Sequence, residues 1–206
     1  VKLADVYNQL SGEIHVSGRN ALLEDSRFLR EAVQNRLLES RADDKAVWTH
    51  VFGSDATVKG DGNTANTDRK IGGLFVGVDG QLNEHWTAGM VAGYSNAKIE
   101  SDPRHSEQDR KDYHLGAYTK GTYGAASFQA GLGHALHDIS SERRINLPKL
   151  QETLRADYDA ATTQLFVEGS YRVKIGEKTA IEPLVNLAYV HTSTDAFTEK
   201  GGMAAL

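Results

Sequence analysis

The groups in this chain that could do chemistry are eight histidines and a scatter of acids, with no cysteine among 206 residues. Without cysteine there is neither a thiolate nucleophile nor a disulfide. His134 and His137 stand three apart in a stretch that alternates like a strand, so their side chains point to opposite faces. His191 lies in a separate stretch. Zinc needs three or four convergent ligands, so no metal site is expected and no cofactor is implied. Serine, histidine and aspartate all occur, but the G-x-S-x-G turn that exposes a hydrolase serine does not. Asp61, Asp102 and His105 fall in polar loops, where such groups could activate water at a rim. Glu168, Arg172 and Glu182 are different: each interrupts an otherwise apolar alternating stretch. A charge placed there has to pair or be hydrated.

The elements that position these groups are of two kinds. Residues 20–41, NALLEDSRFLREAVQNRLLESR, form the single long helix-patterned run. Leu22, Ser26, Leu29 and Val33 follow a three-four spacing, with Phe28 and Leu37 beside them. Ser17 or Asn20 could serve as N-cap. At ~1.5 Å per residue the run spans about 33 Å, close to the ~30 Å hydrocarbon thickness of a bilayer. The helix is too charged to face lipid, and its apolar stripe is thin for a globular core.

From residue 46 the period changes to two. Strand-like stretches cover 46–60, 71–82, 86–101, 112–123, 125–140, 160–175 and 180–194, and an eighth is expected to begin at Gly202. They are separated alternately by long loops (61–70, 102–111, 141–159) and short turns (83–85, near 124, 176–179). Strands of soluble proteins usually run about five or six residues. Long strands with long loops at one end and short turns at the other are the pattern of an outer-membrane barrel. The two faces agree. Trp86, Ala88, Met90, Ala92 and Tyr94 alternate with Thr87, Gly89, Val91, Gly93 and Ser95. Leu165, Val167, Gly169 and Tyr171 alternate with Gln164, Phe166, Glu168, Ser170 and Arg172. One face is apolar, with Trp86, Tyr94, Tyr171 and Tyr189 towards its ends as a lipid-facing aromatic girdle. The other is small or polar and carries Gly73, Gly77, Gly89, Gly93, Gly116, Gly131 and Gly133, which clear space for a filler. The helix is the candidate filler, and Arg27, Arg30 and Arg36 are its candidate partners for Glu168, Arg172 and Glu182.

Composition fits this reading. Hydrophobic residues make up 39%, glycine counts 20, proline three, and the net charge is -5. The mild acidity argues against a nucleic-acid partner. No apolar run is long enough for a transmembrane helix, and no secretory leader is recognisable in the stretch given. An alternating barrel leaves the same hydropathy trace.

In order along the chain, LSGEIHVSGRNALLEDSRFLREAVQNRL, IGGLFVGVDGQL, WTAGMVAGYSNA, YHLGAYTKGTYG, FVEGSYRV and IEPLVNLAYV resemble the C-terminal translocator domain of monomeric autotransporters, the type V secretion proteins of Gram-negative outer membranes. The resemblance covers essentially the whole chain. It implies an all-β transmembrane antiparallel barrel of twelve strands, of which about seven to eight are present here, with an N-terminal α-helix in the pore. Residues 1–19 would end the passenger or linker, 20–41 would span the pore, and 42–206 would supply barrel strands. The passenger is carried to the cell surface and the helix then plugs the channel. The implied partners are the barrel assembly machinery, periplasmic chaperones, the chain's own passenger and outer-membrane lipid. Loops 61–70, 102–111 and 141–159 would be extracellular. The last strands and the terminal aromatic residue of the family are missing, which fits a fragment, a partial chain or a barrel whose edge is paired to a partner during assembly. Some members cut their pore segment when an asparagine side chain attacks its own peptide bond. Asn20, before Ala21, is the candidate here, with Asp79, Glu168 or Glu182 to orient it, although the Asn-Asn pair of self-cleaving members is absent. The alternative to transport is an outer-membrane barrel of another family acting as a pore, a binding protein or a hydrolase at its rim.

Overall fold

The period-two stretches form one antiparallel meander in the computed structural model, which describes residues 10, 12–39, 45–59, 66–101, 105–147 and 150–206. The strands are β1 (Ala46–Val58), β2 (Thr67–Gln81), β3 (Trp86–Ser101), β4 (Ser106–Tyr123), β5 (Ala126–Leu147), β6 (Leu150–Tyr171), the short β7 (Val173–Lys174) and β8 (Ala180–Ile181), and β9 (Leu184–Thr194). The main sheet has seven strands in the order β1-β2-β3-β4-β5-β6-β9, and β7 pairs with β8 in a separate ribbon. From β1 to β6 each strand pairs with its neighbour in sequence, β9 then pairs with β6, and the sheet is not closed: β1 and β9 stand at its two edges.

A helix lies on one face, here called the inner face. It is divided into α1 (Glu13–Asp25) and α2 (Arg27–Glu39) by Ser26. Together they run about 40 Å. The helix starts well before Asn20, so Ser17 and Asn20 sit inside α1 rather than capping it. Gly18 is the reason. A glycine just before the expected start is compatible with a break, but here it is a notch: a Cβ at Gly18 would press on the Gln108 side chain of β4. Glycine costs a helix ~1 kcal/mol against alanine, and here it leaves room for the end of the Gln108 side chain. Glu13 in the first turn favours the positive end of the helix. The expected end at Arg41 lies outside the described residues, as do Asp61 and Asp102.

The core lies between helix and sheet. Phe28, Leu29, Ala32, Val33 and Leu37 of α2 pack on Trp48, Phe75, Val91, Tyr118 and Phe166. The rings of Phe28, Phe52 and Phe75 stack at centroid distances of 4.7 and 4.9 Å. Higher up, Leu22 meets Ile139, Ala156, Tyr158 and Ala160. The glycine face does its clearing mainly for these wall aromatics: a Cβ at Gly89 would strike Tyr118, at Gly93 Phe75, and at Gly131 Phe166. Gly116 and Gly133 are the members of the set whose added Cβ would meet the helix itself, through Leu29.

On the outer face Val47, Val51, Leu74, Val76, Val78, Met90, Leu115, Leu132, Leu165, Val185 and Leu187 are exposed. The sheet therefore has an apolar outside and a mixed inside. No helix among the described residues is long and apolar enough to cross a membrane, which places no limit on crossing by strands.

Two of the three stretches expected as long loops, 102–111 and 141–159, are largely strand in the structure. Residues 141–159, read as a loop, belong almost entirely to β5 and β6, whose pairing runs on to Leu147 opposite Leu150. Burial alternates on β5 without a break from Gln129 to Ile145. These residues looked like a loop because beyond the apolar band both faces are polar. Period two survives there with Ser141 and Arg143 inside, and Glu142 outside accepting from Arg144 and Arg155. The strand expected from Gly202 does not form. Residues 195–206 fold back instead, through a single bridge from Arg155 to Lys200. The tight turn at 83–85 is as read, with Asn83 Oδ1 accepting the amides of His85 and Trp86 at 3.0 and 3.1 Å.

Gly133→Val tests the helix contact. Valine favours a strand, yet its Cβ would fall 2.5 Å from Leu29 Cδ2. We expect a loss of about 1–3 kcal/mol, measured as a lowered urea midpoint of the folded protein in detergent, recovered in part by adding Leu29→Ala. An unchanged midpoint would mean that Leu29 does not seat there.

Candidate functional site

The sharpest chemistry in the molecule lies where α2 meets the wall. Arg36 donates from Nε to Asp79 Oδ2 at 2.8 Å and from Nη2 to Oδ1 at 2.7 Å. The Asp79 side chain has no exposed surface. Tyr118 donates to the same Oδ2 at 2.8 Å and Trp48 Nε1 donates to Tyr118 at 2.7 Å. A bidentate arginine-carboxylate pair is strong and fixes orientation as well as distance. At the next residue, Lys120 Nζ donates to the Leu37 carbonyl at 2.5 Å, a cation on the negative end of the helix. Two residues back, Gln34 Nε2 donates to Glu168 Oε2 at 3.2 Å, which also accepts from Asn186 at 3.0 Å.

Ser26 marks a second contact. Its hydroxyl donates to Leu23 O at 2.6 Å, a back-bond that bends helices. Gln164 on β6 holds the bend from both ends of its amide: Nε2 donates to Ser26 O at 3.0 Å, and Oε1 accepts from Arg30 Nη1 at 2.7 Å. Above it, Asp25 accepts from Arg69 at 3.0 Å and from Arg110 at 2.6 Å. Glu24 also pairs with Arg69. Arg110 continues to Asp112 at 2.7 Å, and Asp112 to His137 at 2.6 Å. A third cluster holds the start of α1. His15 Nε2 lies 3.1 Å from Glu199 Oε1, its ring packs on Phe197, and Arg143 donates to Glu199 at 2.5 Å. Burial pushes the Glu199 carboxyl up, but the hydrogen bonds from Arg143 and His15 outweigh it and hold the group below the usual carboxylate range. It is therefore the anionic partner of Arg143 at neutral pH.

The structure sorts the residues singled out from sequence. Arg36, Arg30 and Glu168 touch the helix–wall interface, but with other partners than expected: Asp79, Gln164 and Gln34. Arg27 does not reach the wall. It is exposed, with its guanidinium 5.0 Å from the Phe28 ring. Arg172 and Glu182 do not meet the helix either. Alternation stops at the β7–β8 ribbon, where Arg172 is exposed and Glu182 accepts from Ser170 at 2.8 Å. Asn20 is exposed and has no hydrogen-bond partner among the described residues. Two of its expected orienting acids, Asp79 and Glu168, meet the helix at Arg36 and Gln34, about 21–24 Å further along the axis. The third, Glu182, is held at the ribbon.

The aromatic positions all lie on the outer side. Tyr94, Tyr171 and Tyr189 are exposed, and Trp86 is half-buried with Nε1 donating to Tyr123 at 2.7 Å. Tyr113, 5.4 Å from Tyr94 between ring centroids, and Tyr123 and Phe128 complete two clusters that sequence reading found in part. Trp86 and Tyr94 are about 26 Å apart along β3 at ~3.3 Å per residue, matching an apolar band ~25 Å tall. His134 bonds Thr163 at 2.9 Å while His137 turns inward to Asp112, so the two do face opposite ways. His105 sits in the β3–β4 turn with φ 48°.

Comparison with known proteins agrees with this geometry. The family model of the autotransporter beta-domain matches residues 47–206. Over its full length the chain is 31% identical, across 214 aligned residues, to an extracellular serine protease of Serratia marcescens, and 30% identical across 217 residues to a second one. It spans 20% of the length of each. The translocator domain of the autotransporter NalP from Neisseria meningitidis has the same fold, with a TM-score of 0.74 at 16% identity, covering 99% of this chain and 65% of that one.

The arginine pair is open to direct test. Arg36→Met leaves Asp79 buried with its countercharge gone, at a cost of about 3–5 kcal/mol. We expect the denaturation midpoint in detergent to fall and hydrogen exchange in α2 to rise. Arg36→Met with Asp79→Leu removes both charges and is expected to recover part of the loss. Singles that cost less than ~1 kcal/mol would place the pair in the class of exposed, weak ion pairs.

Proposed function

Because this chain belongs to the autotransporter β-domain family, we propose that it is the outer-membrane translocator of a longer polypeptide, which carries its own N-terminal passenger to the cell surface and ends with the helix standing in the channel. The observation that carries this reading is the helix itself. It runs 13–39 along the inner face and is fastened at Arg36 to a wall carboxylate without exposed surface. An extended segment passing through would be followed by this helix. Arg36, Gln34 and the Leu37 carbonyl would then find Asp79, Glu168 and Lys120 and stop the movement. Neither nucleotide nor metal enters the scheme. Passenger folding outside and barrel assembly would supply the free energy, with the barrel assembly machinery and periplasmic chaperones as partners.

The relatives named as extracellular serine proteases suggest a protease passenger upstream of residue 1. The β-domain would then be the transport module of such a protein and not its catalyst. Scission before Ala21 by Asn20 is a separate proposal. It would need a polar group other than Asp79, Glu168 or Glu182 to orient the side chain.

Three measurements follow. The complete β-domain in planar bilayers is expected to gain conductance several-fold when residues 13–39 are removed, and an epitope-tagged passenger on the parent chain should be reached by protease added to intact cells. Unchanged conductance, or a passenger held in the periplasm, would contradict the proposal. Mass spectrometry of the mature β-domain decides the scission: an N-terminus at Ala21 that is lost in Asn20→Ser supports it, and any other terminus removes it.

A further inference from the structure

Just beyond the Tyr94–Tyr113 pair, the outer face carries lysines on three neighbouring strands. Strand parity puts Lys70 on the side of Leu74, Lys98 on the side of Tyr94, and Lys111 on the side of Tyr113. Lys70 is directly opposite Lys98, and Lys111 is opposite Asn96, two residues before Lys98 on the same face. Like charges directly opposite each other in a sheet repel. Each lysine also has an aspartate directly opposite on its other side, Asp55 for Lys70, Asp109 for Lys98 and Asp138 for Lys111. Glu100 and Glu107 stand 2.6 and 3.5 Å from Lys98, and Asp55 stands 3.7 Å from Lys70, all on exposed side chains, where ion pairs are weak and readily exchanged. Lys111 is exposed and has no ion pair among the described residues. These lysines border a hollow of ≈ 780 Å³, whose far side on β4–β6 is lined by Asp109, Asp138, Ser140 and Asp157. Cations and hydrogen-bond acceptors thus alternate around the hollow.

We propose that this hollow seats the headgroup of a phosphorylated glycolipid of the surrounding leaflet. The lysines would hold its phosphates and the aspartates would accept from its sugar hydroxyls. Its acyl chains would lie along Leu74, Tyr94 and Leu115. A headgroup of phosphate alone would suit the lysines and be repelled by the aspartates beside them, so the mixed character of the hollow selects a lipid that offers both groups. Position supports this too, because the hollow lies at the height where the apolar band gives way to charge, on the face turned to lipid. The inference rests on the outer-membrane placement of the chain and is independent of passenger transport.

The test uses the full-length protein extracted from membranes in a nonionic detergent, with bound lipid counted by native mass spectrometry. The probes are bisphosphorylated lipid A, the same lipid with its phosphates removed, and inorganic phosphate. Bisphosphorylated lipid A is expected to bind one per barrel and to lose about tenfold or more in affinity in Lys70→Gln/Lys98→Gln/Lys111→Gln. The dephosphorylated lipid should bind the unmodified protein as weakly as the variant binds the phosphorylated one. Heat-dependent gel mobility in the same samples reports the fold. If the triple variant loses that behaviour, the two lipids on the unmodified protein decide alone. Equal binding of both lipids, equal binding by a folded triple variant, or full displacement by millimolar inorganic phosphate would overturn the proposal.

Discussion

A buried ion pair between two elements that meet only after folding is the constraint around which this molecule is arranged. Asp79 points inward from β2 and is shut off from solvent, so it must be neutralised by something the sheet does not contain. Arg36 supplies the charge, and Tyr118 and Trp48 supply the remaining order. Desolvating both groups costs several kcal/mol each, recovered only if the geometry is held. The rest of the interface holds it: Phe28, Leu29, Val33 and Leu37 fix the rotation of α2 against the wall aromatics, and Lys120 and Gln164 fix its position along the axis. A residue such as Gly133 then matters because it lets Leu29 come close enough for Arg36 to reach Asp79.

The same logic turns the sheet inside out relative to a soluble one. Valine and leucine on the outer face need no protein partner in lipid, and the inner face can keep serine, glutamine, histidine and arginine where they meet another polar group or the helix, as Ser95, Gln164, His137 and Arg143 do. The chain of contacts from Asp25 through Arg110 and Asp112 to His137 shows how far such satisfaction extends. It runs from α1 across β4 to β5 without leaving the inner face. Under the proposed transport this wall would be wettable while a segment passes, and the helix would take up Asp79, Gln164 and Glu168 when it stops.

Much of this was legible in the residues and some of it was not, for physical reasons. Period two and the identity of the two faces were readable because lipid enforces them at every second position, as in 164–171. The aromatic positions Trp86, Tyr94, Tyr171 and Tyr189 were readable for the same reason. The helix start was misjudged because Gly18 looks the same in sequence whether it ends a helix or leaves room for a wall side chain. The 141–159 loop was misjudged because strand pairing beyond the apolar band has no hydrophobic signature. The pairing of Arg36 with Asp79 was out of reach: it depends on the rotation and depth of α2, and no local pattern encodes a contact across 43 residues. An inward acid between Gly77 and the Asn83 turn was the available hint that a cation had to come from elsewhere.

The central claim is that the helix stands against the inner wall at a defined depth. Gln34 on α2 and Asn186 on β9 share one acceptor oxygen of Glu168, and the chain has no cysteine of its own. Gln34→Cys with Asn186→Cys, treated in intact outer membranes with a short bifunctional thiol reagent, is therefore the most direct measurement. The account predicts a cross-link between the two sites, and none when the helix cysteine is moved to the exposed position of Asn35. A folded β-domain that fails to cross-link at Gln34, or cross-links equally at Asn35, would contradict it.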